Sequence, residues 1–384
     1  MYGLNDYLDW QGDKDFDRLP FGNPDALCLS EVCYLKLPLA CKTAEGLTLA
    51  EASAALPMAE NTTRPLDCAR VSLLRRMAAS PRFAPLRVCL YVDITDAGQQ
   101  IQFSALCCDL PDGRRAVCYR GTDATLVGWR ENFAMSYGTV PAQLTAAAYL
   151  AAISRFRGAE LLLMGHSKGG NLACYAAATA EEPILRRIRR IWSFDGPGLS
   201  DEVRASEGGR RIQPLLQAFI PQASVIGLLM GQPERYTVVV SSAFGLAQHD
   251  AFTWGLLPPN IFETAPETTF SSQVVDRSLH EFLRHASPEQ RRQFVDAVFR
   301  VLESTGATTT AEMKTAIVTD LPRLVQAAGE LEPETRQMLL HLAGRFLAVT
   351  AATTLDMGLS DGIAQASALL KKLLTHENGG TSHD

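Results

Sequence analysis

Gly165-His166-Ser167-Lys168-Gly169 lies between an apolar run, Leu161-Leu-Leu-Met164, and an alanine-rich stretch, Asn171-Leu-Ala-Cys-Tyr-Ala-Ala177. A serine two residues from a glycine on each side, at a strand-to-helix turn, is a pattern for nucleophilic catalysis. The small residues let strand and helix approach, and the hydroxyl then projects above the sheet. The next backbone N–H, that of Lys168, points at a substrate oxyanion from a helix N-terminus. The plainer alternative is a glycine-rich turn with an incidental serine. The apolar strand before and the helix after favour Ser167 as a nucleophile.

Such a serine needs a base, and the chain has seven histidines. His280, His285, His341, His376 and His383 fall in a helical region or tail, and His166 would point away from its neighbour Ser167. His249, in Ala247-Gln-His-Asp-Ala-Phe-Thr-Trp254, follows the last strand-like segment, where the order serine, acid, histidine places its base. Asp195 begins the turn Asp195-Gly-Pro-Gly198 at the end of a strand, so its carboxylate belongs at the sheet edge where open α/β folds keep their sites. Aspartate at the start of a turn also caps its own backbone. Asp201 and Asp250 therefore stay as competitors for the role of orienting the imidazole. Thr122, after Arg120-Gly121, can offer N–H and Oγ to an oxyanion, although Gly-Thr-Asp is also an ordinary turn.

Alternating elements must position these groups. Residues 1 to about 85 read as mostly helical, with helical apolar spacing over Asp25–Leu35. Leu86–Ile94, Gln100–Cys108 and Arg115–Tyr119 read as strands separated by turn signals, two hairpin-connected antiparallel strands feeding a third. Then a helix over Gln143–Arg157, a strand at Glu160–Met164, a helix from Gly170 and strands at Ile188–Phe194 and Tyr236–Ser241 alternate. That alternation predicts an α/β fold with a mostly parallel central sheet and helices on both faces. Beyond about Asp276 the strand signal stops, and Ser287–Gln290, Thr310–Lys314 and Glu332–Thr335 look like helix starts. The division expected is 1–275 for the main domain, 276–374 for a helical subdomain and 375–384 for a polar tail.

Composition narrows the function classes. Of 384 residues 47% are hydrophobic and 20% charged, which excludes disordered and fibrous chains. The formal net charge of −6 offers no broad basic footprint for nucleic acid. Apolar runs such as Val225–Met230 are too short to span a bilayer, so no stable membrane insertion is expected. The nine cysteines, odd in number and without a Cys-x-x-Cys pair, read as reduced core residues. With an acidic N-terminus lacking signal-peptide features, they point to the cytoplasm. Cys118 and Cys174, near the oxyanion strand and the elbow helix, are expected to pack and not to react. No metal or organic cofactor is needed.

Tyr119-Arg-Gly-Thr122, Gly128-Trp-Arg-Glu-Asn132, Gly165-His-Ser-Lys-Gly-Gly170 and His249 before Trp254 resemble, in the same order, the fungal-type (class 3) lipases. Gly165–Asn171 with Phe194-Asp-Gly-Pro-Gly198 and Gln248-His-Asp250 resembles more closely the Mbeg-like bacterial branch of the α/β-hydrolases, whose function is poorly defined. The resemblance covers roughly residues 1–275. It implies an α/β-hydrolase fold and a lipase- or esterase-like serine hydrolase, acting on a small-molecule or lipid acyl ester through an acyl-enzyme. In it Ser167 attacks, His249 moves the proton, Asp195 orients it, and Thr122 with the Lys168 N–H forms the oxyanion hole. There are two departures. Lys168 replaces the leucine usual in the lipase turn, and Ile220-Pro-Gln-Ala-Ser-Val225 has no carboxylate where those lipases carry their acid. Thioesterase or amidase chemistry uses the same parts. A non-catalytic interaction protein, binding a partner or a second copy through the C-terminal helices, is the rival reading.

Overall fold

The computed structural model describes residues 1–269 apart from 97, 100, 124–125, 157, 225, 229 and 231–234, and beyond them 287–306, 312, 319–333 and 335–337. The chain opens with helices α1 (Leu4–Gln11), α2 (Asn23–Val32), α3 (Leu49–Ala54), α4 (Met58–Asn61) and α5 (Pro65–Ala78), with strand β1 (Leu47–Thr48) before α3. Strands β2 (Arg87–Asp96), β3 (Ile101–Asp109) and β4 (Arg115–Tyr119) follow as antiparallel neighbours. After α6 (Leu126–Ala134) the order is α7 (Pro141–Ile153), β5 (Leu161–His166), α8 (Lys168–Ala178), α9 (Glu182–Leu185) and β6 (Ile188–Phe194). Then come α10 (Asp201–Ala205), α11 (Glu207–Ile212), β7 (Leu216–Pro221) and β8 (Thr237–Val239), and the short strands β9 (Leu256–Leu257), β10 (Ile261–Phe262) and β11 (Thr264–Ala265).

Among the described residues one nine-stranded sheet runs β1-β2-β3-β4-β5-β6-β7-β8-β11. It is mixed: β4 through β8 pair in parallel, while β1 to β4 and the β8–β11 edge are antiparallel. The alternation of helix and strand thus predicts the parallel half, and the hairpin turns predict the antiparallel half. Strand β7 has no counterpart in the sequence reading, because Gln217 and Pro221 interrupt its apolar run. Helix α8 starts directly after Ser167, two residues earlier than Gly170. The apolar strands β4 and β5 are buried along their whole length, as a sheet covered on both faces requires.

The N-terminal helices are pinned by buried charge. Arg82 and Asp25, both fully buried side chains, pair at 2.6 Å, and Tyr7 Oη donates to the same carboxylate at 2.7 Å. A buried pair is costly to open because the remaining partner would be an uncompensated charge. All nine cysteines are free thiols; eight are buried and Cys68, on α5, is exposed. Burial pushes the thiols of Cys33, Cys107 and Cys174 up to about 12.

The chain forms two compact units. The first joins Met1–Asp123 to Thr139–Thr268 and contains the sheet. The second combines Ala124–Gly138 with described residues after Thr268. Within it, the helix Pro288–Glu303 buries Ala297 and Val301 against Leu324, Ala328 and Leu331, and Val295 and Phe299 pack with Trp129 and Tyr137. Arg130, on α6, pairs with Asp296 at 2.8 Å. The helix start expected at Ser287–Gln290 is present as a capping box with Pro288 in the first turn. Pro333 and Thr335–Gln337 are also helical, as expected. The start expected at Thr310–Lys314, apart from Glu312, and the tail 375–384 lie outside the described residues. No helix among them is long and apolar enough to cross a membrane.

Candidate functional site

The turn between β5 and α8 is built by close backbone approach. A Cβ on Gly169 would sit 2.0 Å from the carbonyl oxygen of Tyr119 on β4, and one on Gly165 would sit 2.2 Å from the carbonyl carbon of Gly169. Ser167 between them adopts φ 58° and ψ −134°, a conformation that L-residues rarely take and that costs about 1–3 kcal/mol. Its N–H is held by the carbonyl of Phe194 on β6 at 2.8 Å. The hydroxyl makes no capping bond to α8, so the side chain is not used to satisfy its own helix.

Asp195 repeats this arrangement one strand over. It follows β6 with φ 47°, and its N–H donates to the carbonyl of Phe219 on β7 at 2.7 Å. The carboxylate is buried, and Oδ1 accepts from Ser224 Oγ at 2.6 Å and from the Gly227 N–H at 3.1 Å. Oδ2 faces His249 Nδ1 at 2.6 Å. With both oxygens accepting, Nδ1 carries the proton, which leaves His249 Nε2 as the nitrogen able to accept one. The Ile220–Ser224 segment, which lacks a carboxylate of its own, thus contributes a donor to the carboxylate from the neighbouring strand.

His249 ends the 3-10 turn Gly245–His249, which follows β8. Its neighbours anchor that turn. Gln248 Oε1 accepts the Ala223 N–H at 2.7 Å, its Nε2 donates to the Ala243 carbonyl at 3.0 Å, and Trp254 Nε1 donates to the Gln248 carbonyl at 2.8 Å. Asn171 ties α8 to the Asp195 turn, donating to the Gly198 carbonyl at 2.6 Å. The structure brings Asp195 and His249 into direct contact; no hydrogen bond joins Ser167 Oγ to His249 Nε2.

The two competitors for the acid are placed elsewhere. Asp201 begins α10 and pairs with Arg204 at an exposed surface. Asp250 caps the next turn by accepting the Phe252 N–H at 3.0 Å, and burial raises its carboxyl above the usual range. Lys168 sends its side chain into the interior, where Nζ donates to the Gln102 carbonyl at 2.6 Å and to Gln102 Oε1 at 2.7 Å. Its backbone N–H remains at the start of α8. Thr122 is half-buried next to Gly121, whose Cα lies so close to the turn that a Cβ would be 2.9 Å from Ser167 Cβ. His280, His285, His341, His376 and His383 lie outside the described residues.

A second layer escapes the sequence reading. His166 is buried; its Nε2 lies 2.8 Å from the backbone carbonyl of His249, and the two rings are 4.7 Å apart at 32°. A carbonyl can only accept, so Nε2 carries the proton and Nδ1 accepts from Tyr34 Oη at 3.1 Å. Burial lowers the pKa of His166 well below the ordinary range, which keeps the ring neutral. Glu31 Oε1 lies 3.3 Å from the same Nδ1, and Arg70, paired with Glu31 at 2.9 Å, covers the Tyr34 ring at 3.7 Å. Glu31 and Tyr34 sit within or just after the apolar helix α2. A charged residue between Leu27, Cys28 and Val32 was the signal available.

The solved structure titled Rhizomucor miehei lipase propeptide complex, native, is similar with 12% sequence identity and a TM-score of 0.31, covering 67% of this chain and 81% of that one. No curated protein sequence matches the chain. The model of the Mbeg1-like family matches residues 77–300, more than half of the chain and a span that includes Ser167, Asp195 and His249. The expected Mbeg-like relation therefore holds, and the chain belongs to the Mbeg1-like family.

Proposed function

We propose that the chain is a serine hydrolase of the α/β-hydrolase type, cleaving a carboxylic ester through an acyl-enzyme on Ser167. The observation that carries this reading is the 2.6 Å bond from His249 Nδ1 to Asp195 Oδ2, beside a serine held at φ 58° on the adjoining strand end. Two strained non-glycine residues at neighbouring strand ends, each with its N–H tied to the next strand, form a rigid frame for groups that must meet.

In the proposed reaction Ser167 Oγ attacks the ester carbonyl carbon and its proton passes to His249 Nε2. Asp195 holds the imidazole tautomer and stabilises the imidazolium that forms. The carbonyl oxygen becomes an oxyanion facing the Lys168 N–H and Thr122. Collapse expels the alcohol, which takes the proton from His249. Water, deprotonated by the same nitrogen, then attacks the acyl-enzyme, and the acid departs as Ser167 regains its proton. In this reading the Ser167 Oγ–His249 Nε2 hydrogen bond forms on substrate binding, since such contacts tighten in the complex. In this reading the chemistry belongs to the unit that joins Met1–Asp123 to Thr139–Thr268, which holds Ser167, Asp195, His249, Thr122 and Lys168.

A fluorophosphonate probe tests this on the purified chain. Labelling is expected for the wild type and not for Ser167→Ala, and it should be greatly slowed in His249→Ala. Labelling that persists in Ser167→Ala, or none in the wild type, would overturn the enzyme reading and favour a non-catalytic interaction protein.

A further inference from the structure

We propose that His166, braced by Tyr34 and the Glu31–Arg70 pair, is a positioning residue that sets the orientation of His249. The proposal rests on the hydrolase reading for its catalytic consequence, while the geometry stands by itself. His249 belongs to a short 3-10 turn, an element whose hydrogen bonds are weaker than those of an α-helix. Asp195 fixes its ring at Nδ1, but one hydrogen bond leaves the ring free to swing about that contact. His166 adds two further constraints: its Nε2–H holds the His249 carbonyl at 2.8 Å, and its ring face lies 4.7 Å from the His249 ring. Backbone and ring are then both located, which is what a proton acceptor aimed at one hydroxyl requires.

His166 is itself held from behind. Tyr34 Oη reaches Nδ1 at 3.1 Å and the His166 carbonyl at 3.3 Å. The Tyr34 ring lies under the Arg70 guanidinium, and Arg70 is anchored by Glu31 and Asp67. Gly121 makes room for this contact, since a Cβ there would fall 2.0 Å from Tyr34 Oη and 2.6 Å from the His166 carbonyl oxygen. Thus α2 and α5, far upstream in sequence, reach the proposed base through one buried imidazole. The residue between glycine and the serine nucleophile does not touch substrate; it acts through His249.

The test compares His166→Gln, which keeps an N–H donor near the place of Nε2, with His166→Leu, which removes it. Two readouts on the full chain are used: steady-state hydrolysis of a p-nitrophenyl ester, and the low-field proton resonance of His249 Nδ1–H in protein labelled with 15N-histidine. For His166→Leu, kcat should fall about 10- to 100-fold with KM within about twofold, and the His249 resonance should shift. His166→Gln should restore kcat to within about threefold of wild type and return the resonance. Should His166→Leu fail to fold, Tyr34→Phe decides, with an expected loss of about three- to tenfold in kcat and a smaller shift. An unchanged kcat and resonance in His166→Leu, or a glutamine variant as impaired as the leucine one, would overturn the proposal. If the wild type shows no Ser167-dependent turnover, the hydrolase reading fails separately and the resonance alone decides the positioning role.

Discussion

Ser167 and Ser287 both stand immediately before a helix, yet they do opposite things there. Ser287 has relaxed extended backbone at φ −63° and ψ 159°, accepts the Gln290 N–H at 3.2 Å, and has its own N–H taken by Gln290 Oε1 at 2.8 Å. Every polar group it owns serves the helix start. Ser167 sits at φ 58°, makes no capping bond, and depends on β4, β6 and two glycines to hold it in place. A serine that stabilises its surroundings and one that is stabilised by them are distinguished by where the hydroxyl goes. The same residue type at the same local position therefore serves its own helix in one unit and leaves its hydroxyl out of helix capping in the other.

Substitution should separate the two. Ser167→Ala is expected to lower ester hydrolysis by about 10^4-fold or more while leaving the unfolding midpoint nearly unchanged, because alanine tolerates that backbone no worse than serine. A variant that loses stability and keeps activity would reverse the comparison. Asp195→Asn should lower kcat by about 10^3- to 10^4-fold without unfolding the chain, through the wrong imidazole tautomer. Survival of activity there, with loss in Asp250→Asn, would move the acid to the other side of the histidine.

The frame around Ser167 can be tested by stability alone. Gly169→Ala forces a methyl against the Tyr119 carbonyl, and urea unfolding should register a loss of about 1–3 kcal/mol. Ser287→Ala should cost about 1 kcal/mol, confined to unfolding of the helix it caps, with hydrolysis unaltered within error. A fall in hydrolysis for this variant would show that the second unit supports the site. The smallest effect concerns acid. His166 is held neutral by burial, so the unfolded chain binds that proton more tightly than the folded one. Stability from this source is intact above pH 6.5 and declines as pH falls below it. Urea titrations between about pH 6.5 and 5 should therefore show a shallower decline for His166→Gln than for wild type; equal slopes would refute the burial argument.

Much of this was legible because the decisive signals are local. Glycine spacing around Ser167 exposes the strand-to-helix turn, and Asp195 stands where a strand meets a Gly-Pro-Gly turn. The expected pairing of Asp195 with His249 follows from chain order and sheet edge, and the structure places His249 Nδ1 on Asp195 Oδ2. Strand β7 was hidden because its outer positions carry Leu216 and Gln217 at half-burial and its end is a proline. The Glu31, Tyr34 and Arg70 brace was hidden for a different reason. Its members are separated by up to 135 residues from His166, and only tertiary packing joins them. Lys168 reads as a departure from a lipase pattern; its amine donates to Gln102, a pairing that no periodicity announces.

The distribution of thiols has a practical consequence. Eight of the nine cysteines are buried, and burial holds several of them far from the thiolate form, whereas Cys68 is exposed on α5, the helix that also carries Arg70. The native chain therefore offers a single ready attachment point for a fluorophore or spin label. A reporter at Cys68 would watch the brace behind the histidines from the outside, with no engineered residue in the protein.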